Sequence, residues 1–76
     1  MRFLFANNDD PELLEWLNNA FRRGGGFVSH FAAACLNADC DNYALIRPVL
    51  LKMRARYSAY EPSEAVKQEI RERLKP

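Results

Sequence analysis

The sequence is short of most residues that chemistry needs. It holds one histidine, two cysteines and one tryptophan in 76 residues. His30 and the two cysteines cannot supply the four ligands, at C-x2-4-C type spacing, that a structural zinc takes. Cys35 and Cys40 stand five apart, which is neither a C-x-x-C redox motif nor a disulfide framework, and a reducing cytosol works against bridging them. Ser29 is the sequence neighbour of His30 and points about 100° away from it on a helix, so the two form no nucleophile–base dyad. Glycine occurs only at Gly24, Gly25 and Gly26. The GGGF there has neither the lysine nor the preceding strand of a phosphate-binding loop. Apolar runs are short. None approaches the roughly 20 residues of a membrane span, and MRFLFA is stopped by Asn7-Asn8-Asp9-Asp10 before it reaches signal-peptide length. The chain is expected to be soluble and cytoplasmic, with no catalytic residue, no cofactor and no metal.

What is present favours helix. With 49% apolar residues there is material for a core, yet a chain of this length buries only about 60% of its unfolded surface. Asp10 and Pro11 suit a helix start, and Leu13, Leu14, Trp16, Leu17, Ala20 and Phe21 make a wide apolar face. Gly24–Gly26 ends that helix, because glycine takes positive φ without penalty. The first helix is predicted over 11–23. Phe27, Val28, Phe31, Ala32, Cys35 and Leu36 place a second over 27–37. Tyr43, Ile46, Leu50, Met53 and Tyr57 form the stripe of a third over 42–57, widened by Leu45 and Val49 and capped by Asp39 or Asp41. Pro48 lies inside it and is expected either to kink the helix or to restart it. Pro62 opens a fourth helix over 62–74, with Val66, Ile70 and Leu74 as a narrow stripe. Residues 1–10 read as an N-terminal arm. The expectation is one all-α domain over 1–76, a compact bundle of three core helices plus a C-terminal amphipathic helix. Trp16, Leu17, Phe21, Phe27, Phe31, Leu36, Ile46, Leu50 and Met53 should supply most of the core.

The joint LNADCDNYALIRPVL, 36–50, invites a calcium reading, since Asn37, Asp39 and Asp41 alternate as in an EF-hand loop. Asn42 then stands where the loop needs glycine, and Pro48 where it needs a bidentate glutamate. Side-chain caps at a helix joint explain the same residues.

Charge is uneven. Residues 1–41 carry three basic and six acidic side chains and net −3, whereas 42–76 carry eight and four and net +4. Two solvated surfaces that attract each other or a symmetry mate would account for this, and the alternative is an acidic or a basic face for a partner. Trp16, GGGF at 24–27 and NADCDNYALIRPVL at 37–50 resemble small, mostly uncharacterised helical accessory proteins of bacteriophages and prophages, over about the middle half of the chain. The resemblance implies an accessory protein that acts by binding, of the size seen among phage inhibitors of bacterial defence, anti-CRISPR proteins included. It brings no catalytic residues. The leading expectation is a non-enzymatic protein-interaction module that binds and modulates a bacterial protein or binds itself as a homodimer. Arg54, Arg56, Tyr57 and Tyr60 are its candidate contact residues, because arginine and tyrosine dominate interface hot spots. The second reading is a small nucleic-acid-binding regulator that uses Arg47, Lys52, Arg54 and Arg56 of the third helix on phosphates.

Overall fold

A computed structural model describes residues 11–74, so the N-terminal arm expected at 1–10 lies outside the described residues. Helix α1 spans Pro11–Arg23, α2 Gly26–Asn37 and α3 Cys40–Arg56. A 3-10 turn follows at Ser58–Tyr60, and α4 spans Glu64–Leu74. The protein is an all-α globule of four helices, with no strand among the described residues.

Helix α1 is the hub. Its buried residues Leu13, Trp16, Leu17 and Ala20 follow the three-and-four spacing of one helix face. Glu12 sits in its first turn and Arg22 and Arg23 in its last, each of the sign that the helix dipole favours there. Against this face pack Val28, Ala32 and Cys35 of α2 and Tyr43 and Leu50 of α3. Ile70 anchors α4. No polar or charged residue is fully buried among the described residues. Phe31, Leu36, Ile46 and Met53, expected to supply the core, are half-buried and pack against its rim. Phe21 and Phe27, also expected inside, are 48% and 66% exposed. Ala20 and Ala32 take the fully buried places on α1 and α2. Short side chains let two helices joined by a short link approach closely, which turns the phenylalanines outward.

The glycines act differently from expectation. None has positive φ. The Gly24 N–H donates to the Ala20 carbonyl at 2.8 Å and closes α1, and Gly25 is extended (φ −72°, ψ −177°) where it caps α2. A Cβ on Gly24 would sit 2.5 Å from the Ala20 carbonyl oxygen and 2.9 Å from a Val28 methyl. Glycine is therefore required at position 24 by space. The Ser29 hydroxyl locks the same joint by donating to the Phe21 carbonyl at 2.8 Å.

Asp39 is the cap of α3, its carboxylate accepting from the Asn42 N–H at 2.8 Å. The helix starts two residues earlier than expected and runs through Pro48 without a restart. Pro48 lies on the exposed side. There the Ala44 carbonyl, which proline leaves without its usual donor, can turn to water. At α4 the cap is Ser63, whose hydroxyl accepts from the Val66 N–H at 3.2 Å, so the helix begins at Glu64 and Pro62 is buried just ahead of it.

Candidate functional site

Two regions stand out once the core is assigned. The first is the 3-10 turn, beside which the structure gathers Arg54, Tyr57 and Tyr60, three of the four residues singled out from the sequence. Arg54, near the end of α3, clasps Glu61 in a bidentate pair, Nε to Oε2 at 2.6 Å and Nη2 to Oε1 at 2.9 Å. Its Nη2 also lies 3.7 Å from Glu12 of α1. The Tyr57 carbonyl accepts from Trp16 Nε1 at 3.0 Å, and the Tyr60 carbonyl from Asn19 Nδ2 at 3.1 Å. The Tyr60 ring meets Trp16 edge-on at 6.2 Å between centroids, and the Arg23 guanidinium lies 5.7 Å from the Tyr60 centroid. Arg54, Tyr57 and Tyr60 thus tie the end of α3 to α1. Arg56 is exposed and lies 5.7 Å from the Tyr57 ring centroid. Glu61, seven residues beyond Arg54 and past the helix end, has no periodic relation to it, so sequence reasoning missed the pair.

The hydrogen bonds from Arg54 hold the Glu61 carboxyl below its ordinary range, against the opposing effect of partial burial and with help from the Arg54 and Lys67 charges. A carboxylate whose folded pKa is depressed stabilises the fold above its unfolded pKa of about 4.3, and that stability is lost as pH falls through the lower folded value. Glu61→Gln should therefore reduce the melting temperature at neutral pH and flatten the acid branch of a melting-temperature-against-pH profile. Parallel acid branches for the two proteins would refute the assignment. Arg54→Met, which keeps most of the aliphatic packing, should cost about 1–2 kcal/mol at neutral pH.

The second region is the outer face of α3. Leu45 is 75% exposed, Val49 50% and Leu51 40%, and Ala44, Pro48 and Ala55 are exposed beside them. Leu45 and Val49, expected to widen the buried stripe, point away from it instead. A shallow depression on this face is lined by Ala44, Arg47, Pro48 and Leu51. Apolar residues occur round most of α3, interrupted by Asp41, Arg47, Lys52, Arg54 and Arg56, so periodicity picked out the stripe from Tyr43 to Tyr57 without showing that Leu45, Val49 and Leu51 look outward. Pro48 was the one available signal, because a proline inside a helix is best tolerated toward solvent.

The basic residues of α3 do not form one stripe. At about 100° per residue, Arg47 and Arg54 fall on one side and Lys52 and Arg56 on another. Arg54 is matched by Glu61. Cys35 is fully buried and its burial pushes the thiol up to about 11, which disfavours the thiolate, while Cys40 is exposed. His30 is exposed. Among the described residues no three His, Cys, Asp or Glu side chains gather to hold a metal ion, and no helix is long and apolar enough to cross a membrane. A groove of about 280 Å³ between α1 and α4 is lined by Pro11, Leu14, Glu15, Ile70, Arg73 and Leu74. No family model, no curated protein and no solved structure matches this chain.

Proposed function

We propose that this chain is a non-enzymatic protein-interaction module that presents the outer face of α3 to a protein, in the manner of the phage accessory proteins it resembles. The observation that carries this reading is the exposure of Leu45, Val49 and Leu51 together on one helix whose opposite face already fills the core. A chain this small has little apolar surface to spare, and contiguous exposed patches tend to mark interaction sites. Arg56, exposed at the end of the same helix, can flank such a contact, whereas Arg54, Tyr57 and Tyr60 support it from within. The nucleic-acid reading has less support, since only Lys52 and Arg56 offer exposed charge on one side of α3.

The test is affinity capture of the tagged chain from a bacterial lysate, with and without nuclease, beside its Leu45→Glu variant. A contact centred on this face should lose its captured protein by about ten-fold or more in the variant. Equal capture by both proteins rejects the face. Recovery of nucleic acid before nuclease treatment, with nothing retained after it, favours the second reading.

A further inference from the structure

The outer face of α3 is complementary to itself, and we propose that it pairs antiparallel, about a two-fold axis near Pro48, with the same face of a second copy of this chain. This rests on the interaction reading above and names the partner. At about 100° per residue, Asp41, Ala44, Pro48, Lys52 and Ala55 run down the middle of the face, with Leu45 and Val49 along one edge and Leu51 along the other. On this side of the helix the acidic end is its start, at Asp41, and the basic end is its finish, at Lys52 and Arg56; Asp39 is used as the cap and Arg54 is held by Glu61. An antiparallel copy sets acid against base and opposes the two helix dipoles, and a parallel copy would set like against like.

The register follows from the axis. With Pro48 at the centre, the second copy's Val49 lies beside Leu45, its Lys52 beside Ala44 and its Arg56 beside Asp41. Each contact occurs twice, as a two-fold interface requires. Ala44 and Pro48 at the crossing are short, which lets the helices come close. Lys52 then arrives next to the Ala44 carbonyl that Pro48 leaves without its helical donor. A single helix pair buries less than the roughly 800 Å² per partner of a standard interface, so the dimer should dissociate in the micromolar range.

Sedimentation equilibrium of the intact chain from about 1 to about 500 µM tests this, with circular dichroism to confirm that each variant stays helical. The wild-type mass should rise from 8.8 kDa toward twice that value. Leu45→Glu, at a mostly exposed position that leaves the core untouched, should weaken association about ten-fold or more. Asp41→Arg or Arg56→Asp alone should weaken it by about five-fold, and the two together should restore it to within about three-fold of wild type. A chain that stays monomeric throughout, or a dimer indifferent to Leu45→Glu, overturns the proposal. A double charge swap that fails to restore association overturns the antiparallel register. If the chain is monomeric yet Leu45→Glu abolishes capture of a lysate protein, the interaction reading stands and the second copy is the wrong partner. If neither self-association nor capture depends on Leu45, both fail.

Discussion

Trp16→Ala should lower the melting temperature by about 15 °C or more. Trp16 is fully buried at the centre of α1, and removing such a side chain costs about 3–5 kcal/mol in lost transfer energy and cavity. The substitution also deletes the bond from Nε1 to the Tyr57 carbonyl and the edge-on contact with Tyr60, the latter worth about 0.5–1.5 kcal/mol. Domains have only about 0.05–0.15 kcal/mol of stability per residue, about 4–11 kcal/mol for a chain of this length, so the loss is a large share of the total. Trp16→Phe separates the two contributions. It keeps most of the volume and should cost about 1–3 kcal/mol for the stranded carbonyl, a fall of about 4–8 °C in melting temperature per kcal/mol for a domain of this size. Circular dichroism melts of the three proteins decide it. A Trp16→Ala protein melting close to wild type would mean that the contact between α1 and the 3-10 turn contributes little.

The second large effect is expected at Gly24. Its Cβ would press on the Ala20 carbonyl of the helix it closes and on Val28 of the next helix. Gly24→Ala should therefore destabilise by about 1–3 kcal/mol, the usual range for overpacking a tight site. Two residues on, the sign reverses. Gly26 is helical and has no positive φ, and a Cβ added there would meet nothing within 4 Å. Gly26→Ala should be neutral or stabilise by up to about 1 kcal/mol through helix propensity. Urea unfolding of both variants makes the comparison, and equal effects at the two positions would show that the constraint at Gly24 is not steric.

These two positions also show what was legible in the sequence. The limits of α1 were readable because a proline opens it, three glycines follow it, and Leu13, Trp16, Leu17 and Ala20 keep strict spacing between them. The reason for the glycines was not readable. A helix stop by positive φ and a close approach of two helices call for the same residue, and only the path of α2 over α1 tells them apart. Phe21 and Phe27 misled for a related cause. Hydrophobicity marks what can be buried, while the closeness of α1 and α2 decides that Ala20 and Ala32 are the residues that are. At the candidate site, Arg54 and Arg56 carry the same chemistry two residues apart. Glu61 holds one, and the other is exposed. The helical period puts the two on different sides, but that Glu61 meets Arg54 depends on how the chain turns after α3, which no local pattern records.

The bond from Trp16 to the Tyr57 carbonyl joins residues 41 apart in sequence. Trp16 is also the chain's only tryptophan. The protein thus carries a built-in optical reporter: indole emission follows the docking of the end of α3 onto α1, while helix content is read separately in the far ultraviolet. Any state in which the helices persist but the two halves come apart would reveal itself as a disagreement between the two signals, with no label attached.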